Sequence, residues 1–231
     1  MSFSPEQSDP NKIEAFELLQ SSFSQLPNIL LPLVILASPF LALQLLQNMI
    51  PMLGIPIFII SGFFIAPLII GASVYFFYRY LSTQTSDLGG AIEKALGKSE
   101  NLILGYILYA IAIAAGLSFL AIPGIYVAVR LGFVIHAIVI DELDAVSALK
   151  LSWNLVEGRW VTVAGAQLLI FIISFVPSFI IGFVVGLTEM TMSTEGMIIA
   201  TILQTSVEFV VGALATIYIT NLYLRLKELT E

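Results

Sequence analysis

The chain has 231 residues, 58% of them hydrophobic and only 11% charged, with a net charge of −7 at pH 7. Soluble domains carry about 25% charged residues, so this composition excludes a water-facing globular surface, and its acidic balance argues against nucleic acid, which needs a basic patch. With no cysteine and one histidine, disulfides, thiolate metal sites, iron–sulfur clusters and bis-histidine haem ligation within one chain are excluded as well.

Residues 1–28 are acidic and carry a single basic residue, Lys12. A secretory signal begins with a short basic region, so the first apolar run is expected to stay in the protein as a membrane anchor. Apolar runs then follow at 29–47, 57–81, 101–121, 124–140, 160–188 and 197–224. Each approaches the roughly 20 residues that cross a hydrocarbon core about 30 Å thick. The expected fold is all-α, a polytopic membrane bundle of six transmembrane helices. Its organisation is a cytoplasmic amino-terminal segment (1–28), a six-span membrane domain (29–226) and a cytoplasmic tail (227–231).

The connections alternate in character. Those at 48–56, 121–124 and 189–196 contain no lysine or arginine, whereas Lys12, Arg79, Lys94, Lys98, Lys150, Arg159, Arg225 and Lys227 all fall on the other side. By the positive-inside rule both termini are cytoplasmic. Three stretches on that side carry an apolar helical face. They are 11–26 (Ile13, Phe16, Leu19, Phe23, Leu26), 87–99 (Leu88, Ala91, Ile92, Ala95, Leu96) and 145–160 (Val146, Leu149, Trp153, Val156). Each precedes a span, a short outer turn and a returning span. The chain thus reads as a pseudo-threefold repeat of amphipathic interfacial helix and helical hairpin, with Trp153 and Trp160 as interfacial anchors.

Within the spans, Pro32, Pro39, Pro67 and Pro177 predict kinks. Two small-residue groups, Gly182 with Gly186 and the run from Gly105 to Gly116, predict close helix packing or an oligomer contact. Arg130 is the ninth basic residue and the one inside a span. A mid-helix arginine costs about 2.5–3.5 kcal/mol on insertion scales, so it is expected to face the interior and pair. Glu208 is the acid deepest within a span and the expected partner; an anionic-headgroup or ligand site on Arg130 is the alternative. His136 reads as a hydrogen-bonded structural residue or a proton relay. Gln44, Gln167 and Gln204 are expected to bond between helices, and Asp141, Glu142 and Asp144 to form a solvated helix-start cluster. No phosphate loop, triad or metal signature occurs, so no catalytic residue, metal or cofactor is expected.

The stretch IPGIYVAVRLGFVIHAIVIDELDAVSALKLSWNLVEGRW (122–160) carries Pro123, Tyr126, Arg130, the ALKLS of Ala148–Ser152 and the GRW of Gly158–Trp160. Over these residues the chain resembles the membrane domain that accompanies some bacterial glycerophosphodiester phosphodiesterases, and the related stand-alone six-span proteins. The phosphodiesterase chemistry of that family resides in a separate soluble barrel, which this chain lacks. The resemblance implies a membrane module without the enzyme, in a bacterial cell membrane. The expected role is a non-enzymatic scaffold organising partner proteins, further copies of the chain, or lipids. One alternative is a small transporter or carrier of a phospholipid or other anionic headgroup, with a site near Arg130, Glu208 and His136. A glycerolipid-directed intramembrane enzyme is the second.

Because the chain lacks cysteine, introduced thiols report cleanly on sidedness. Ser147→Cys should resist impermeant maleimides in intact cells and Ser193→Cys should react; labelling at Ser147→Cys from outside would overturn the orientation.

Overall fold

Long runs of Leu, Ile, Val, Phe and Ala leave the backbone one economical way to satisfy its N–H and C=O groups in an apolar medium, the α-helix. The computed structural model describes residues 13–83, 87–188 and 194–230. No strand occurs among the described residues. In chain order come α1 (Ala15–Met49), a 3₁₀ turn (Pro51–Leu53), α2 (Gly54–Ile60), a π-helical turn (Ser61–Ile65) and α3 (Ala66–Thr83). They are followed by α4 (Leu88–Gly97), α5 (Ser99–Phe119), α6 (Ala121–Leu131), α7 (Val134–Ile140), α8 (Ala145–Leu155), α9 (Trp160–Thr188) and α10 (Thr194–Glu228). Six helical segments are long and apolar enough to cross a membrane: Ala15–Gln47, Gly54–Thr83, Ser99–Phe119, Ala121–Ile140, Trp160–Leu187 and Ile198–Glu228. They coincide with the six apolar runs, and the fold is an all-α bundle.

The second and fourth segments are composite. In the second, Pro67 has no N–H and its ring crowds the carbonyl four residues back. The turn just upstream widens, and the Ala66 N–H bonds to the Ser61 carbonyl, five residues earlier. In the fourth, Gly132 and Phe133 leave the helix between α6 and α7.

The element order follows the threefold plan, but its first copy differs. Residues 15–26 do not form a separate interfacial helix; they run on through Pro27, Pro32 and Pro39 as the first turns of α1. The physical reason is that this stretch has a protein partner. Ile13, Leu19 and Ser22 are buried, and the Asn221 amide of α10 donates to Ser22 Oγ (3.3 Å) and Gln25 Oε1 (3.0 Å). Farther along, Thr205 Oγ1 donates to Gln44 Oε1 at 2.6 Å, so α1 and α10 lie antiparallel and join the two ends of the chain. Residues 11 and 12 of the predicted stretch, Lys12 among them, lie outside the described residues, as do 189–193 of the third outer connection.

The second and third amphipathic stretches are separate helices, α4 and α8, each started by an aspartate. Asp87 accepts from the N–H groups of Gly89 (3.1 Å) and Gly90 (2.8 Å). Asp144 accepts from those of Val146 and Ser147, both at 3.0 Å. Each helix turns small residues toward the bundle (Ala91 and Ala95; Ala145 and Ala148) and leaves large apolar ones outside (Ile92 and Leu96; Val146).

Small residues also close the α5–α6 hairpin, whose connection is Leu120 alone. A Cβ on Gly116 would sit 2.8 Å from the Gly124 Cα, so these two backbones approach as only glycine permits. The Gly182–Gly186 pair does not behave this way. A Cβ on Gly186 would meet nothing within 4 Å, and one on Gly182 only the end of Gln204 at 3.9 Å. The core is built from large side chains of the inner helices, including Phe77, Leu102, Phe133, Ile138, Tyr218 and Tyr223. α9 is outermost, and Phe171, Phe175, Phe179 and Phe183 stack along its outer face. An aqueous surface would not sustain such a ladder.

The cap hydrogen bonds to Ser147 hold the Asp144 carboxyl below its usual range. Its contribution is complete above the ordinary aspartate pKa of about 4 and is lost as pH falls through the depressed value. Asp144→Ala should therefore lower the melting temperature at neutral pH, with Asp144→Ser recovering part of the loss. The difference from wild type should shrink in acid; a difference independent of pH would contradict the cap.

Candidate functional site

The break between α6 and α7 exposes polar backbone inside the bundle, where each unmet group costs free energy. Ser152 of α8 meets both sides of it. Its hydroxyl donates to the Arg130 carbonyl at 2.8 Å and accepts from the Phe133 N–H at 3.1 Å. Beside it lies the Arg130 side chain, 9% exposed. Nε donates to Tyr126 Oη at 3.0 Å and Nη1 to the Trp153 carbonyl at 2.8 Å. The guanidinium carbon stands 5.2 Å from the Tyr126 ring centre and 4.9 Å from that of Trp153. The Trp160 indole N–H reaches the Tyr126 carbonyl at 3.4 Å, and its ring packs on Tyr126. Arg130 is thus a bolt between α6 and α8, desolvated against two aromatic faces.

The expected Arg130–Glu208 ion pair does not form. Glu208 belongs to the face of α10 turned toward α1 and α3, whereas Arg130 faces α8. Gln204 Nε2 donates to Glu208 Oε1 at 3.0 Å within α10. Depth within the spans alone allows the two to meet; the rotational phase of each helix separates them.

At the end of α7 a polar junction gathers four elements. Asp141 pairs with Lys227 and accepts from the Tyr223 hydroxyl. Glu142 pairs with Lys94, and Lys98 Nζ donates to its carbonyl at 2.7 Å. The Asn101 side chain accepts from the Ala145 N–H at 3.1 Å. Glu142 is held at φ +60°, a left-handed conformation unfavourable for a side chain with a Cβ, and the two lysines of α4 fix it there. The Lys94 hydrogen bond and charge hold its carboxyl below the usual range. The acids expected as a solvated helix-start cluster therefore divide their work: Asp144 caps, while Asp141 and Glu142 tie α7 to α10 and α4.

Two half-open clefts lie between the helices. One, of about 400 Å³, is bounded by α1, α3 and α10 and lined by Phe40, Gln44, Ser73, Glu208 and Phe209 among others. The second, of about 370 Å³, is lined by Val74, Tyr106, Tyr109, Leu131 and His136 among others. They share Ile70, Gly212 and Thr216. His136 Nε2 lies 3.3 Å from Thr220 Oγ1, which donates to the Thr216 carbonyl at 2.7 Å. With its one proton so used, Thr220 accepts from Nε2–H, and Nδ1 is left buried without a partner. The imidazole is held between Phe133 and Tyr223.

The structure therefore brings Arg130, Trp153 and Trp160 together and places Glu208 and His136 on adjoining cavities apart from them. Of the three glutamines, Gln44 bonds between helices, Gln204 bonds within α10, and Gln167 packs with Nε2 against Gly132. Sequence reading missed Ser152 and Gly212. Ser152 carried a faint signal, a small polar residue on the buried face of an amphipathic helix. Gly212 carried none, since a helical glycine bordering two clefts has no local signature. Among the described residues no three ligating side chains gather as a metal site would require.

A family model described as a domain of unknown function, DUF7847, matches residues 58–226. The match spans more than half of the chain, and the chain belongs to this family. No curated protein and no solved structure matches it.

The bolt geometry makes a specific energetic statement. A hydrogen bond to a charged group contributes about 1.5–3 kcal/mol, so Tyr126→Phe and Arg130→Met should each destabilise the protein in detergent and should couple strongly. Arg130→Met and Glu208→Gln should instead add to within about 0.5 kcal/mol, as separated sites do. Recovery of stability in that second double variant would restore the ion pair.

Proposed function

We propose that this chain is a non-enzymatic integral membrane protein that holds a lipid-like ligand inside its helical bundle. The observation that carries the reading is a pair of neighbouring clefts that share Ile70, Gly212 and Thr216 in their linings, one bearing Glu208 and the other His136. Each falls within the roughly 300–1,000 Å³ typical of small-molecule sites, and each is mostly apolar with a few polar groups, as such sites are. The site is accordingly placed at Glu208 and His136, with Arg130 as a structural element beside it. The family description assigns no activity.

The same proposal includes cytoplasmic termini, on the strength of the one-sided lysines and arginines, and a bacterial cell membrane, on the strength of the family resemblance alone. Kinship with the membrane domain of glycerophosphodiester phosphodiesterases rests on Tyr126, Arg130 and the ALKLS and GRW segments. A scaffold role is the second reading. Its support is α9, whose phenylalanine ladder and open Gly186 lie outside the bundle.

Gly212 offers the test. A Cβ there meets nothing within 4 Å, and a glycine inside a helix costs about 0.5–1 kcal/mol relative to alanine. Gly212→Leu should keep or raise the melting temperature while filling the shared wall. Native mass spectrometry of protein released from nanodiscs should then lose the small molecule that accompanies wild type. Unchanged occupancy in a well-folded Gly212→Leu protein would rule out the cavities as a ligand site.

A further inference from the structure

Glu208 differs from the acids of the α7 junction. Asp141 and Glu142 have lysines, whereas among the described residues no Lys, Arg or His nitrogen lies within ion-pair distance, 4 Å, of the Glu208 carboxylate. Its recorded protein donor is the neutral amide of Gln204. Glu208 is partly buried on the wall of its cleft, and a carboxylate within a membrane-spanning segment commonly pairs with a cationic group. The obvious protein cation, Arg130, is committed to α8. Phe40 and Phe209 also line the cavity with Glu208. A carboxylate with aromatic side chains nearby suits a weakly hydrated organic cation, which is drawn both by Coulomb attraction and by cation–π attraction where a ring turns its face. A strongly hydrated metal ion would need several oxygen ligands instead.

We infer that the ligand of this site is a lipophilic cation, its charged group lodged against Glu208 between α1, α3 and α10 and its apolar body extending past Gly212 toward the His136 cavity. The inference rests on the reading of the neighbouring clefts as a ligand site. Gln44 contributes little to charge recognition, since its Oε1 accepts from Thr205. The selectivity is by sign: an anion of the same shape meets the carboxylate with repulsion.

The test uses the full chain in phosphatidylcholine nanodiscs, with equilibrium dialysis of two near-isosteric ions, tetraphenylphosphonium and tetraphenylborate, and empty nanodiscs subtracted. Wild type should bind tetraphenylphosphonium saturably at one site per chain, and the borate at least tenfold more weakly. Glu208→Gln should lose at least tenfold for the phosphonium, and Gly212→Leu should lose binding with Glu208 intact. The sign preference of wild type needs no variant, so the inference stays testable if Glu208→Gln folds poorly. Equal binding of both ions, still abolished by Gly212→Leu, would overturn the cationic ligand and leave the cavity reading standing. No saturable binding of either ion, with co-purifying molecules also unchanged in Gly212→Leu, would overturn both.

Discussion

Inside an apolar bundle no solvent is at hand to repair a broken hydrogen bond, and that constraint governs the structure from end to end. Wherever the helical ladder is interrupted, a specific group stands in. The π-helical turn takes up the strain ahead of Pro67. The Ser152 hydroxyl closes both sides of the α6–α7 break. Because Ser152 comes from α8, the break holds that helix in place: α8 cannot leave without exposing a carbonyl and an N–H that nothing else satisfies.

The same constraint explains the placement of charge. Arg130 escapes an isolated-ion penalty without a carboxylate, by spending two N–H groups on oxygens and its flat faces on Tyr126 and Trp153. Lysines on α4 and α10 gather at the turn after α7 and tie three elements, α4, α7 and α10, through Asp141 and Glu142. These pairs are partly exposed, where an ion pair contributes about 0–1 kcal/mol, so their value is in fixing geometry. The left-handed backbone at Glu142 is an instance of that work.

Packing around α10 is uneven. Phe77, Phe133 and Tyr223 are fully buried, as close-packed interiors require. Gly212 is exposed and has open space beside it. Glu208, one turn earlier and partly buried, has no Lys, Arg or His nitrogen within 4 Å among the described residues.

Much was legible from the sequence because it depends on local chemistry. Hydrophobic runs of spanning length dictate helices in an apolar medium, so all six spans and the all-α class follow from composition and period. Asp87 and Asp144 stand where helix starts need an acceptor. What the sequence could not decide is which face of each helix meets which neighbour. Depth along an axis can be counted at 1.5 Å per residue, but rotational phase is fixed only when all the helices pack together. For that reason Arg130 meets Tyr126 and the Trp153 carbonyl rather than Glu208, and residues 15–26 become the first turns of α1 rather than a helix of their own. It is also why a glycine with no local motif comes to border two clefts. Chain chemistry set the elements and their polarity; the mutual satisfaction of buried polar groups across helices, a property of the assembled bundle alone, set the site.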